Sequence, residues 1–512
     1  MKPIKLVSGF LTVGVWTLLS RVLGFVRDAT IVALLGTGPL YEAYVVAFRL
    51  PNMFRRFFAE GAFNTAFVPM FSKKAEADDG AHEFAQDAFS GLATILIALT
   101  MLAQLFMPWL IYAIASGFAG QEKFDIAVDF ARIAFPYILF ISLAALLSGV
   151  LNATGRFAAA AAAPVLLNIL FISAVAIAVL VDGSVADWLI WAVPVAGIAQ
   201  LALVWIAASR AGFRLTFRWP RMTPDLKHLA VIAAPAALAG GVVQINLVVG
   251  QQVASYYDRA VSWLYNADRL YQLPLGVVGI AIGIVLLPDL SRRLRAGDAE
   301  GGQHALTRAG ELALALTIPA AVALMIVPIP LVSVLFERGL VTPQDTAATA
   351  AAVAIYGLGL PSFVLQKVLQ PLYFAREDTK TPFYFALVGM IVNAAIAVGL
   401  AYSIGWLASA IAATLAGWVM VLLLWQGTRK FGPEARFAPG FGTRILKITL
   451  ASIGMGAVLW IAALLMTPGL NAAGIRYIAL LALVSIGMAS YAMIGQLIGA
   501  FRLSDFRAAL RR

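Results

Sequence analysis

The chain has 512 residues, of which 62% are hydrophobic and only 12% charged, with a formal net charge of +11 and no cysteine. Soluble domains carry roughly 45–50% apolar and 25% charged residues, and the mean hydropathy here is +0.89, so the composition is that of a polytopic membrane protein. The lack of cysteine excludes disulfides, Cys-ligated zinc and thiol catalysis.

Apolar stretches long enough to cross about 30 Å of hydrocarbon recur at approximately 8–35, 41–72, 84–115, 125–151, 158–181, 188–208, 229–256, 262–290, 305–336, 346–374, 382–401, 407–428, 445–466 and 475–501. They predict an all-α protein of fourteen transmembrane helices. The first resembles a signal peptide at its start, but no small-x-small cleavage site precedes Arg21 and the apolar pattern resumes beyond it, so an uncleaved span is expected. The longest connection, about 209–228, leaves no soluble domain to hold an active site. Twenty-three Lys and Arg residues fall on the termini and one alternate set of loops; the opposite set carries only Lys123, Arg259, Arg338 and Arg476. That asymmetry predicts cytoplasmic N- and C-termini. No basic stripe interleaved with aromatics occupies a soluble segment, so the positive charge does not indicate nucleic-acid binding.

Five arginines interrupt the apolar pattern: Arg21 and Arg27 in the first span, Arg55 and Arg56 in the second, Arg269 in the eighth. One ionised side chain at the centre of a lipid-facing helix costs roughly 2.5–3.5 kcal/mol, and five on the order of 12–17 kcal/mol, so a wet cavity inside the bundle is the expected environment. In the first span Arg21 and Asp28, seven residues apart, share a face, and Gly24 permits a bend that would bring Arg27 to the same cavity. In the second, Arg56 and Glu60 at i and i+4 can pair, leaving Arg55 the freer cation, and Pro51 and Gly61 invite irregular backbone of the kind tolerated where it lines a cavity. In the eighth, Asp268 points about 100° away from Arg269 and does not cancel it by stacking. Counting Asp28, Glu60 and Asp268 against the five arginines leaves the cavity near +2, which suits a diphosphate ester, whose oxygens match guanidinium forks. Glu42, Arg132 and Lys367 sit in or near spans and suit a gate pair or an inter-helix bond. No phosphate-cradling loop, nucleophile elbow or metal-ligand spacing occurs, so no cofactor is expected, and transport would run on an ion gradient or the membrane potential, about 2.3 kcal/mol per charge per 100 mV.

Two halves echo each other at an offset of about 220–225 residues. Arg49-Leu50-Pro51 with Phe67-Val68-Pro69 answers to Arg269 through Pro274 with Leu286-Leu287-Pro288; Phe135-Pro136-Tyr137 answers to Leu360-Pro361-Ser362; and the turn at 152–156, with Asn168, answers to the turn at 375–380, with Asn393. The offset spans six segments, as in transporters built from parallel repeats with substrate between the halves. Spans 13 and 14 fall outside the repeat. The expected domains are residues 1–215, residues 216–432, and residues 433–512.

The strings Ser20-Arg21-Val22-Leu23-Gly24-Phe25-Val26-Arg27-Asp28, Arg49 through Pro69, and Tyr265-Asn266-Ala267-Asp268-Arg269-Leu270 closely resemble the MurJ (MviN) family of bacterial lipid II flippases, and the likeness covers the whole chain. It implies a MATE-like fold of two six-helix lobes, with spans 13 and 14 forming a groove for the undecaprenyl tail, in the bacterial cytoplasmic (inner) membrane. It implies substrate-binding roles for Arg21, Arg27, Arg55 and Arg269, and supporting or gating roles for Ser20, Asp28, Glu42, Arg56, Glu60 and Asp268. The implied activity is alternating-access flipping of lipid II, not enzymatic catalysis, with membrane lipids and cell-wall synthesis proteins as further partners. A sodium site of some relatives uses an Asp of the seventh span; residues 229–256 contain none, so that coupling does not transfer. Two rivals are a MATE-type drug or polyprenyl-oligosaccharide exporter and a membrane glycan polymerase. The first, as a drug antiporter, would need carboxylates in surplus, and the second a catalytic acid in an outer loop longer than any here.

Overall fold

The computed structural model describes residues 6–56, 62–77 and 79–501, which form nineteen α-helices and no strand. Helix is what the composition demands, because a segment surrounded by hydrocarbon must satisfy its own backbone N–H and C=O groups. Ten helices among the described residues are long and apolar enough to cross a membrane. The four other predicted spans, which begin near residues 8, 41, 229 and 262, hold helices over their described residues, two of them in the span beginning near 41.

The chain divides into two compact units, residues 1–262 and 263–512. The first holds α1 (Leu6–Leu35), α2 (Pro39–Arg55), α3 (Ala62–Ala77), α4 (Ala81–Leu105), α5 (Met107–Ala115), α6 (Glu122–Ala134), α7 (Tyr137–Ala153), α8 (Ala158–Leu180), α9 (Val185–Arg210) and α10 (Pro224–Ala254). Within it α1 packs on α8, α2 on α6, and α9 on both α7 and α8. The expected boundary at 215/216 does not coincide with this division, because α10 packs along α3, α4 and α5. Its C-terminal end is also bonded to the turn after α5: Ser116 N donates to Gln252 Oε1 at 2.9 Å and Gly117 N to Ser255 Oγ at 3.0 Å. A Cβ on Gly117 would lie 2.4 Å from the Ser255 backbone, so only glycine permits that approach.

Helix α11 (Ala260–Arg295) leads into the second unit, which continues with α12 (Ala299–Ile326), α13 (Pro328–Phe336), α14 (Pro343–Phe374), α15 (Lys380–Ile404), α16 (Leu407–Gly427), α17 (Phe441–Leu465), α18 (Thr467–Asn471) and α19 (Arg476–Leu497). Here α16 packs on α14 and α15, the pairing that α9 makes with α7 and α8. The repeat is visible in its helix breaks as well: the third span breaks at Phe106 ahead of Pro108, and the ninth at Val327 ahead of Pro328. At the equivalent Pro136 and Pro361 the halves diverge. Pro136 separates α6 from α7, whereas α14 runs through Pro361. There Thr414 Oγ1 and Trp418 Nε1 of α16 donate to the carbonyls of Ile355 and Leu358, in the turns ahead of the proline, which supports a helix that has lost a backbone bond.

The core of the second unit joins Leu286 and Leu290 of α11 to Val364, Val368 and Leu372 of α14 and Leu424 of α16. Residues beyond 433 belong to the same unit, since α17 packs between α12 and α19. Small residues set that spacing: a Cβ on Gly456 would meet Val322 at 2.7 Å, and one on Gly487 would meet Leu459 at 3.0 Å.

Candidate functional site

Within the first unit the charged end of α1 is tied to α8. Arg27 donates from Nε and Nη2 to Asp28 Oδ1, at 2.9 and 2.6 Å, and from Nη1 to Asn168 Oδ1 at 3.0 Å. Asn168 Nδ2 in turn donates to the Ser20 carbonyl at 2.9 Å and lies 3.3 Å from its hydroxyl. The Arg27 guanidinium also lies over the Phe171 ring, 5.4 Å from its centroid. Arg27 and Asp28 are each 7% exposed. A small residue at position 24 leaves room for this arrangement: a Cβ there would sit in ordinary contact with the Asn168 amide, at 3.6 Å.

Arg27 is therefore committed to its neighbouring carboxylate and to Asn168, where a shared cavity with Arg21 was expected. Arg21 differs. Partly buried in the same helix, it has no hydrogen-bond or ion-pair partner among the described residues. The Asn168 amide bonds the Ser20 carbonyl, one residue away, and so ties the backbone beside Arg21 to α8.

In α2, Asn52 Nδ2 donates to the Phe48 carbonyl at 2.8 Å and its Oδ1 accepts from Arg55 Nε at 3.3 Å, which orients a partly buried Arg55. Arg56 is exposed at the end of the helix. Glu60, its expected partner, lies outside the described residues. Arg49 reaches α10, donating to Gln251 Oε1 at 2.5 Å, and Gln251 Nε2 donates to the Ile114 carbonyl at 3.2 Å.

Glu42 is fully buried. Its Oε2 accepts from Lys123 Nζ at 2.8 Å and its Oε1 from the Val261 N–H at 3.2 Å, while the Lys123 ammonium sits 4.4 Å from the Phe118 ring centroid. Of the two roles considered for Glu42, this is the geometry of an inter-helix bond. Arg132 pairs loosely with Asp129 at the surface, at 3.6 Å. Lys367 is exposed on α14.

In the second unit, Arg269 Nη2 donates to Tyr265 Oη at 2.5 Å with its guanidinium 4.5 Å from that ring's centroid, so the tyrosine one turn earlier holds it by both edge and face. Asp268 accepts from Gln272, one turn on, and not from Arg269. Among the described residues no group of three or more His, Asp and Glu is placed to hold a metal ion.

Sequence reasoning did not assign the partners Asn168, Lys123, Gln251 and Tyr265. Asn168 was a position of the repeat, and Lys123 was counted among loop cations. The available signal was polarity inside an apolar run, which a single amide raises only weakly.

The helical scaffold and the sequence find their match in known proteins. An inward-closed structure described as lipid II flippase MurJ superposes with a TM-score of 0.78 at 25% identity, covering 98% of this chain and all of that one. An inward-facing MATE family multidrug transporter of the MOP superfamily shares the fold, with a TM-score of 0.70 at 16% identity over 80% of this chain and 94% of its own. A protein of Rhizobium meliloti (strain 1021) named probable lipid II flippase MurJ is 45% identical over 518 residues, spanning 99% of this chain and 97% of the relative. With the family profile described as Lipid II flippase MurJ matching residues 31–485 as well, this multi-pass membrane protein belongs to the MurJ family.

Proposed function

We propose that the protein carries lipid II from the cytoplasmic to the outer leaflet of the bacterial inner membrane by alternating access, with its termini in the cytoplasm. The observation that carries the reading is Arg21: a guanidinium within an apolar helix, its backbone pinned through Ser20 and Asn168, and without a described partner. An unsatisfied cation held at depth by a tied backbone is what a transported diphosphate requires. Arg55 and Arg269 add two more cations, each oriented by a side chain of its own helix, Asn52 and Tyr265. Arg27 contributes from behind, holding α1 against α8 through Asp28 and Asn168.

The diphosphate is bound by these arginines while the polyprenyl chain stays in lipid along α17 and α19. Rocking of two six-span lobes, made of spans 1–6 and 7–12, exposes the head group on the far side. Without a nucleotide site, the cycle draws on the membrane potential or an ion gradient, and cell-wall synthesis proteins consume the product. The family assignment and the match to a MurJ structure support this reading. The test is complementation of a depleted strain, with lipid II exposure outside the cell as the readout. Arg21→Ala, Arg55→Ala and Arg269→Ala should each insert into the membrane yet fail to restore exposure. Normal growth and exposure with these variants would overturn the binding role.

A further inference from the structure

The loops with few cations carry only four, and two of these, Arg338 and Arg476, meet. Arg338 follows α13 and Arg476 opens α19, and their guanidinium groups converge on one oxygen: Arg338 Nη1 donates to Tyr477 Oη at 2.7 Å, and Arg476 Nη2 to the same atom at 3.4 Å. Each also caps the end of α13, Arg338 Nη2 bonding the Leu335 carbonyl at 2.8 Å and Arg476 Nη1 the Glu337 carbonyl at 3.1 Å. Neither forms an ion pair with a described carboxylate, and the Nε–H of each is buried without an acceptor.

Helix capping accounts for one donor on each arginine. It does not account for the second. Two permanent cations drawn to one neutral hydroxyl repel each other unless an anion joins them. Tyr477 Oη, already accepting two N–H groups, has its own hydrogen left to donate, which gives the anion a third donor. The surroundings define the rest of the ligand. Leu340, Ile478 and Leu481 flank the cluster and are all about two-thirds exposed, a setting for acyl chains beside an interfacial tyrosine.

We propose that Arg338, Arg476 and Tyr477 form a binding site for the phosphate of an anionic membrane lipid at the end of the second unit remote from the cation-rich loops. The inference does not rest on the transport reading, although Arg476 and Tyr477 open α19, along which that reading lays the polyprenyl chain. Two guanidinium forks and a hydroxyl match the oxygens of a phosphodiester.

Native mass spectrometry of the full-length protein, in detergent micelles doped with phosphatidylglycerol or phosphatidylcholine, tests the site. Wild type should retain phosphatidylglycerol in preference to phosphatidylcholine, and Arg338→Gln/Arg476→Gln should lose about tenfold of that retention. Tyr477→Phe should lose less, and Arg338→Lys/Arg476→Lys, which keeps the charge without the fork, should fall between. Equal retention of the two lipids by wild type, or undiminished phosphatidylglycerol retention in the glutamine variant, would overturn the proposal. Displacement by inorganic phosphate at the same phosphate concentration would show a free-anion site and overturn the lipid assignment. Should the glutamine variant fail to fold, unchanged retention in both the phenylalanine and lysine variants would sink the idea equally.

Discussion

Glu42 and Lys123, 81 residues apart, form an ion pair with a 2.8 Å contact from which water is excluded, their side chains being 0% and 3% exposed. The pair joins α2 to α6, and the second carboxylate oxygen is taken by the Val261 N–H just inside α11. Removing one member of a buried pair leaves an uncompensated charge, at a cost of about 3–5 kcal/mol, whereas replacing both with apolar groups is often neutral. Glu42→Ala should therefore lower the unfolding temperature of the purified protein sharply, and Glu42→Leu/Lys123→Met should recover most of the loss. A double variant no more stable than either single would argue that Glu42 acts elsewhere.

The same logic separates Arg27 from Arg21. Arg27→Ala takes the guanidinium away from the buried Asp28 and from Asn168, so it should reduce folded protein as well as activity, by up to about 3–5 kcal/mol. Arg21→Ala breaks no described contact and should leave thermal stability within about 0.5 kcal/mol while abolishing lipid II exposure. Folded abundance in the membrane, measured beside complementation, distinguishes the two. Equal abundance of the variants would remove the structural role assigned to Arg27.

These contrasts mark what was legible beforehand. The spans could be read because hydrocarbon admits only helices for such a chain, and hydropathy reports hydrocarbon directly. The breaks at Phe106 and Val327 were hidden, since the prolines that cause them are themselves compatible with an apolar run. Arginines stood out as charge in an apolar setting. Their partners did not, because the bond from Arg27 to Asn168 crosses 141 residues and its acceptor is a neutral amide. Arg27 and Asp28 pair although adjacent helical side chains point about 100° apart, because a long guanidinium can fold back onto the neighbouring carboxylate. The contact division at 262/263 differs from the repeat boundary at 215/216 for a similar reason, as repeat spacing carries no information about the surface on which α10 packs.

Two glycines in the first unit should respond oppositely to the same change. A Cβ at Gly24 makes ordinary contact with Asn168 at 3.6 Å, so Gly24→Ala should be tolerated. At Gly117 the new methyl would lie 2.4 Å from the Ser255 backbone, with no flexible side chain to yield. Overpacking of that kind costs typically 1–3 kcal/mol, and here it would also strain the bond from Gly117 N to Ser255 Oγ. Gly117→Ala should lower the unfolding temperature while Gly24→Ala does not. Equal stability of the two variants would refute the close approach of α10 to the 116–117 turn.

Asp378 links pH to stability at the loop before α15. The Thr381 N–H donated to its Oδ1 at 2.9 Å holds its carboxyl below the usual carboxylate range, with the Thr381 hydroxyl and Lys430 adding to the effect. A depressed folded-state pKa means the charged form is favoured by folding, so the contribution is complete above the unfolded value of about 3.9 and is lost as pH falls through the folded value. Capping of this sort contributes about 1 kcal/mol. The stability gap between wild type and Asp378→Ala should therefore be constant from about pH 5.5 to 8 and close progressively below pH 4, measured by thermal unfolding across that range. A gap that persists undiminished at the lowest pH would mean that the carboxylate charge contributes nothing to the cap.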